Sequence, residues 1–85
     1  MINKKIKSNL LVNLGMRLRQ IRLHKRLTLV GLSYSSDMET ANISRIESGK
    51  TNPSYLILYR LCRALGISLE ELFKADSFKF DSFYV

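Results

Sequence analysis

Residues 28–54 read TLVGLSYSSDMETANISRIESGKTNPS, and the architecture of the whole chain follows from this segment. Thr28 is typical of an N-cap because its hydroxyl can accept a hydrogen bond from an early backbone N–H, so a short helix is predicted over about residues 28–35. After a serine-rich turn, a second short helix is predicted over about residues 39–47. Gly49 can adopt the left-handed conformation that ends such a helix. Two short helices joined by a tight turn predict a helix-turn-helix.

Apolar residues at helical spacing predict three further helices around this segment. The first covers about residues 9–25, although Gly15 weakens it by up to about 1 kcal/mol relative to alanine. The fourth begins after Ser54, and the fifth begins at Ser68, where Ser-Leu-Glu-Glu is typical of a capping box. We expect the core face of the fourth helix to consist of Tyr55, Leu58, Leu61, Cys62 and Leu65. The fold class is therefore all-α, a compact five-helix domain with the helix-turn-helix at about residues 28–47.

Charge is distributed unevenly along the chain. The formal net charge is +7, from 14 Lys and Arg against 7 Asp and Glu. Residues 1–36 contain no acidic residue, whereas residues 64–85 are mildly acidic. A basic face attracts phosphate and gains free energy when counterions are released, so the charge favours a nucleic-acid partner. A solvated face that only aids solubility is the alternative.

Composition argues against several other classes of protein. One cysteine and one histidine leave no disulfide framework and no multi-cysteine zinc site. The chain offers no paired carboxylates, no nucleophile with an adjacent base and no phosphate loop, so we expect no catalytic residue, no metal and no cofactor. No apolar run approaches the roughly 18 residues that a membrane span needs. At 85 residues the chain is one domain, and we expect no second domain to hold a small-molecule ligand.

The chain divides into three segments. Residues 1–8 are expected to form a basic N-terminal arm, which either follows the DNA backbone or a minor groove or is disordered. Residues 9–75 form the helical domain, and residues 76–85 form an aromatic tail that includes Phe78 and Phe80. We expect this tail to pack on the fourth or fifth helix or across a dimer. A frayed terminus is the alternative.

Two charges lie on the apolar stripes of the predicted helices. Arg22 follows Ile21 on the stripe of the first helix, and Glu47 follows Ile46 on the stripe of the third. A lone charge that faces a core is costly, so each side chain needs a partner. The simplest solution is a structural ion pair between Arg22 and Glu47. The alternative is that Arg22 extends its guanidinium to solvent.

Four motifs indicate a family. They are LGMRLRQIR at 14–22, LT at 27–28, NISRIESGKTNPS at 42–54 and LGISLEELF at 65–73. Over about residues 10–74 the chain resembles the lambda-repressor-like, Xre-type helix-turn-helix family. The resemblance implies a five-helix DNA-binding domain, usually dimeric, that regulates transcription. It also implies a protein that is encoded by a bacterium or a phage and acts in the cytoplasm. It also implies the ion pair that the stripes predict.

In such a domain the third helix enters the major groove and the second crosses the DNA backbone. By position, the resemblance implies base contacts from Thr40, Ala41, Ser44 and Arg45. Arg45 can read guanine O6 and N7 with two parallel hydrogen bonds, or it contacts only phosphate or water. Backbone contacts are implied for Arg19, Thr28, Asn42, Lys50, Thr51 and Asn52. For Asn42, plain exposed helix surface is the alternative.

Six residues in and around the helix-turn-helix depart from the family pattern: Arg26, Leu29, Val30, Gly31, Asp37 and Glu39. Leu29 stands where the family often has a DNA-contacting glutamine, and Asp37 stands at a turn position that is often glycine. Arg26 stands where glycine commonly ends the first helix, so backbone strain is expected there. Glu39 stands where Ser or Thr commonly caps the recognition helix, and its carboxylate either repels phosphate or accepts from cytosine N4. These changes affect base recognition and leave the predicted fold intact.

The predicted function is sequence-specific DNA binding by a homodimer on a pseudo-palindromic operator, with recognition helices about 34 Å apart. Autoregulation, as in a restriction–modification controller, is one form of this function. The alternative is an antitoxin or protein-binding adaptor of the same fold, with a toxin or RNA polymerase as its protein partner. This alternative arises because Leu56, Ile57 and Tyr59 are apolar where the family is commonly polar. With Phe78 and Phe80, they form the predicted dimer or partner surface.

Overall fold

Five α-helices and no strand make up residues 2–74, the part of the chain that the computed structural model describes. The helices are α1 (Lys4–His24), α2 (Leu29–Ser36), α3 (Thr40–Glu47), α4 (Tyr55–Leu65) and α5 (Leu69–Phe73). The prediction of an all-α, five-helix fold is confirmed, and α2 and α3 are the predicted helix-turn-helix. The predicted tail, with Phe78 and Phe80, lies outside the described residues.

Side-chain caps determine where several helices begin. The hydroxyls of Thr28, Ser54 and Ser68 each accept a hydrogen bond from the backbone N–H three residues further on, at the start of α2, α4 and α5. Ser68 and Glu71 complete the predicted capping box. These caps satisfy backbone donors that no helical carbonyl can reach, so the starts of these three helices follow from local sequence.

α1 begins at Lys4 rather than near residue 9. The side chain of Asn3 accepts from the backbone N–H of Ile6 at 2.9 Å and caps this earlier start. Ile6 and Leu10, one turn apart, are both half-buried. Most of the segment expected to be an arm is therefore the first part of α1.

The core is a single apolar cluster to which every helix contributes. α1 packs on α3, α2 packs on α3 and α4, and α4 packs on α5. The cluster comprises Leu14, Leu18, Ile21, Leu32, Ile43, Ile46, Leu58, Leu61, Cys62, Leu65 and Leu72. Burial, with a smaller contribution from the nearby Glu71 carboxylate, raises the pKa of the Cys62 thiol. Cys62 is therefore a neutral packing residue.

The prediction that Tyr55 belongs to the core face of α4 is wrong. Its side chain is 69% exposed. Tyr55 is the first residue of α4, and helical side chains lean toward the N-terminus, so its ring extends past the end of the helix rather than across the core. The other four residues assigned to that face are buried, namely Leu58, Leu61, Cys62 and Leu65.

α1 and α3 approach each other at Gly15. A Cβ atom at this position would lie 2.4 Å from the carbonyl oxygens of both Ile46 and Glu47. At Gly49, which has a φ of +75°, an added Cβ would lie 2.8 Å from Val12. Both glycines are required because the end of α3 lies directly on the backbone of α1.

Candidate nucleic-acid interface

The turn between α2 and α3 has a specific set of hydrogen bonds. Asp37 ends α2 in the left-handed conformation, with φ 55° and ψ 45°. The Ser33 hydroxyl donates to the carbonyl of Met38, and the Ser36 hydroxyl donates to the carbonyl of Leu32 at 2.6 Å. The first of these bonds closes the turn onto α2, and the second lies within the last turn of α2. Asp37 takes the conformation for which the family often uses glycine.

Arg60, on α4, holds this turn from outside. Its Nε donates to the carbonyl of Ser36 at 2.8 Å, and its Nη2 donates to the carbonyl of Asp37 at 2.7 Å. A weaker contact of 3.5 Å joins Nη2 to the Asp37 carboxylate. Arg60 thus caps the C-terminus of α2, which favours a positive charge. No sequence pattern marks Arg60, because its partners are backbone carbonyls, which every residue has.

Arg22 and Glu47 hold α3 against α1. Arg22 Nε donates to Glu47 Oε2 at 2.7 Å and Nη2 donates to Oε1 at 3.0 Å, while Nη1 donates to the carbonyl of Leu27 at 2.8 Å. The two side chains are only 8% and 7% exposed. This bidentate geometry satisfies both charges, and it ties α1, the loop before α2 and the end of α3 together.

The opposite face of α3 is open. Ile43 and Ile46 are buried, whereas Ala41, Asn42, Ser44 and Arg45 are exposed and Thr40 is half-buried. These exposed residues include three of the four predicted base contacts. The Nη1 atom of Arg45 donates to Oδ1 of Asn42 at 2.7 Å.

Two clefts bring other predicted DNA contacts next to α3. A cleft of about 340 Å³ is lined by Asn42 and Arg45 together with Thr51 and Asn52 of the following loop. A second cleft, of about 250 Å³, has Arg19 and Ser44 among its lining residues. Lys50 is exposed in the same loop, and its backbone N–H donates to the carbonyl of Arg45 at 2.9 Å. Thr28 is exposed at the start of α2.

The departures from the family pattern have visible structural outcomes. Leu29 is half-buried: it packs on the core and also lines the cleft beside Arg19 and Ser44, so an apolar side chain stands where the family often has a glutamine. Glu39 makes no side-chain cap hydrogen bond at the start of α3, and it is exposed. Arg26 has a positive φ of 59°, as expected where the family commonly has glycine.

Tyr34 is a surface residue that the sequence analysis missed. It is 91% exposed and lines a cleft of about 670 Å³ at the turn together with Glu39, Thr40 and Ala41. A tyrosine hydroxyl is a hydrogen-bond donor suited to a phosphate oxygen. The available signal was an aromatic residue with a hydroxyl beside the serine-rich turn.

The predicted dimer or partner surface on α4 is partly exposed. Leu56 is 73% exposed and Tyr59 is 50% exposed. Ile57 is half-buried and packs on the core. Within residues 2–74, no helix is both long enough and apolar enough to cross a membrane.

Comparison with known proteins identifies the family. Residues 13–73 match the family model described as a helix-turn-helix domain. An uncharacterized HTH-type transcriptional regulator, y4dJ of Sinorhizobium fredii (strain NBRC 101917 / NGR234), is 34% identical over 58 residues. This alignment covers 68% of the present chain and 75% of the relative.

Solved structures of regulators share the fold. The clp gene regulator ClgR from C. glutamicum has a TM-score of 0.72 at 33% identity, covering 74% of this chain and 81% of its own. The restriction-modification controller protein C.AhdI from Aeromonas hydrophila has a TM-score of 0.72 at 35% identity, covering 74% of this chain and 96% of its own. The chain therefore belongs to the lambda-repressor-like, Xre-type family of helix-turn-helix transcriptional regulators.

Proposed function

We propose that the protein regulates transcription as a homodimer that binds a pseudo-palindromic operator through α3. The observation that supports this most is the division of α3 into two faces. One face is fixed by buried isoleucines and by the Arg22–Glu47 pair, while the other presents Ala41, Ser44 and Arg45 to solvent. A rigid helix with an open polar face is what base recognition in the major groove requires.

Phosphate contacts come from the residues beside α3. Lys50 and Arg19 supply positive charge, and Thr51 and Asn52 supply neutral donors at the cleft edge. The Thr28 hydroxyl oxygen already accepts from Gly31 N at 2.9 Å, so its proton is free to be donated to a phosphate oxygen. These contacts set affinity and orientation, whereas the face of α3 sets sequence preference.

Regulation of its own gene is the form of this function that we propose. C.AhdI is a restriction-modification controller, and its alignment with the present chain covers 96% of C.AhdI. A small regulator of this kind needs no cofactor and no catalytic residue, and it acts in the cytoplasm, where it meets DNA. The antitoxin or adaptor interpretation is not favoured, since the relatives are regulators.

Self-association is assigned to the apolar residues on α4. Leu56 and Tyr59 are large, apolar and exposed on one turn of the helix, and exposed apolar residues that lie together mark protein–protein interfaces. A second copy of the chain covers them in this proposal. A toxin or RNA polymerase at the same surface is the other outcome that a pull-down distinguishes.

Fluorescence anisotropy tests the function directly. The probes are a duplex from upstream of the protein's own gene and a scrambled duplex of equal length, each at 50 mM and 200 mM salt. We expect preferential binding to the upstream duplex, with an affinity that falls at least about 1,000-fold between the two salt concentrations if six or more phosphates are contacted.

Two variants sharpen this measurement. Arg45→Ala should remove most of the preference between the duplexes. Arg63→Ala, which removes the same charge from the last turn of α4, should keep it. Equal, weak binding of the wild type to both duplexes would refute the proposed function. A complex whose mass by light scattering equals one protein chain and one duplex would refute the homodimer.

A further inference from the structure

Asn42 and Arg45 form a pair on the open face of α3. They lie three residues apart, one turn of the helix, and both are exposed. The Asn42 side-chain oxygen accepts from Arg45 Nη1 at 2.7 Å. In residues 2–74 the ion pairs join Arg22 to Glu47 and Arg60 to Asp37, so no carboxylate competes for the Arg45 guanidinium there.

The chemistry of the pair leaves a guanine-reading edge open. A guanidinium has five N–H donors in a fixed plane, and the bond to Asn42 uses one of those on Nη1. The remaining donors on Nη2 and Nε include a parallel pair suited to guanine O6 and N7. Because the plane is rigid, one hydrogen bond to Asn42 restricts the direction of the whole group.

A neutral acceptor is suited to this task. A carboxylate at position 42 would orient Arg45 equally well, but it would cancel the charge that attracts DNA and would repel phosphate. An amide oxygen orients the guanidinium and leaves its charge in place. The amide nitrogen of Asn42 also remains available for a phosphate oxygen.

We propose that Asn42 is a positioning residue, which sets the preference for guanine at a base that Arg45 reads. This inference rests on the proposed function, since it concerns how α3 reads DNA. Holding the long Arg45 side chain in one orientation before binding lowers the conformational entropy that binding removes. The family resemblance implies a backbone contact for Asn42, and nothing in the sequence links it to Arg45.

Selection from a library of random duplexes tests the proposal. The proteins are the wild type, Asn42→Ala, Arg45→Ala and the double variant. Arg45→Ala should abolish one guanine column of the wild-type motif. Asn42→Ala should weaken the same column by about threefold to tenfold, the range of one net hydrogen bond, and leave the other columns unchanged. The double variant should match Arg45→Ala alone, because Asn42 acts through Arg45.

A conservative variant separates positioning from phosphate contact. Asn42→Asp keeps an acceptor for Arg45, so it should retain the guanine column while lowering affinity for every duplex. A residue that only contacts phosphate would change affinity uniformly in both variants. Both side chains are exposed, so each variant should keep the wild-type far-UV circular dichroism and Tm.

The free protein provides an independent measurement. NMR relaxation at the Arg45 Nε–H group should give a lower order parameter in Asn42→Ala than in the wild type, without DNA present. An unchanged order parameter, or an unchanged guanine column in Asn42→Ala, would overturn this inference and leave the proposed function standing. A wild type that enriches no sequence would overturn the proposed function and the inference with it.

Discussion

Replacing Gly15 with alanine tests how α3 is held. Gly15 lies inside α1, where alanine is normally the better residue by about 1 kcal/mol. In the structure, however, the new Cβ would lie 2.4 Å from the carbonyl oxygens of both Ile46 and Glu47. These are backbone atoms at the end of α3, so they cannot rotate away as a side chain can. The helices must separate.

The size of the effect follows from two opposing contributions. Overpacking a well-fitted contact costs about 1–3 kcal/mol, and backbone oxygens place Gly15→Ala at the upper end. Subtracting the gain in helix propensity leaves the free energy of unfolding lower by about 2 kcal/mol. For a domain of this size, Tm should then fall by roughly 8–16 °C. Urea unfolding followed by circular dichroism measures the free energy of unfolding, and thermal unfolding followed by the same signal measures Tm.

Gly31→Ala is the matched control. Gly31 is also inside a helix, but its added Cβ would meet the Thr28 hydroxyl at 3.3 Å and Leu27 at 3.5 Å, distances that small movements relieve. We expect this variant to be neutral or to gain up to about 1 kcal/mol. If Gly15→Ala is as stable as the wild type, the close approach of α1 and α3 is not a constraint and the reasoning fails.

Four further predictions concern other contacts. Glu47→Gln leaves a buried guanidinium without its counter-ion and should lower the free energy of unfolding by about 3–5 kcal/mol; a loss below 1 kcal/mol in urea would contradict a buried pair. Arg60→Met should cost about 1–2 kcal/mol and weaken DNA binding, because two carbonyls of the turn lose their donor; unfolding and anisotropy measure the two effects. Leu56→Ser with Tyr59→Ser should reduce the dimeric fraction in sedimentation while the far-UV spectrum is kept. Because burial raises the pKa of Cys62, the unfolded chain loses the thiol proton at a lower pH than the folded chain does. The free energy of unfolding should therefore fall as the pH rises above the ordinary thiol pKa. In urea unfolding at increasing pH, a Cys62→Ala variant should show a smaller fall than the wild type.

Sequence patterns predicted the features that depend on neighbouring residues. Thr28, Ser54 and Ser68 act through backbone groups three residues away, so their caps are legible in the chain itself. The pairing of Arg22 with Glu47 was also predictable, because both charges interrupt an apolar stripe and their signs are opposite.

Other features depend on contacts between distant segments and were not predictable. From the sequence, Gly15 is expected only to weaken a helix, because nothing near it in sequence reveals the carbonyls of α3. Arg60 bonds to backbone oxygens, which every residue has, so no complementary residue type marks its target. Tyr55 fits the period of the core face, but periodicity ignores the end of a helix. Asn3 caps α1 where no leucine spacing pointed to a helix.

Base recognition should fall mainly on the C-terminal half of α3. Leu29 is apolar and packs in part on the core, so the start of α2 offers no amide like that of the glutamine the family often has there. Glu39 presents a negative charge at the start of α3, and Thr40 is half-buried. Asn42, Ser44 and Arg45 are therefore the exposed polar residues of that helix, and Ser44 and Arg45 are the two of them that are predicted base contacts. Since neither Ser44 nor Arg45 packs in the core, we expect substitutions at these two positions to alter sequence preference at little cost in stability, whereas substitution of Glu39 should change affinity for all sequences.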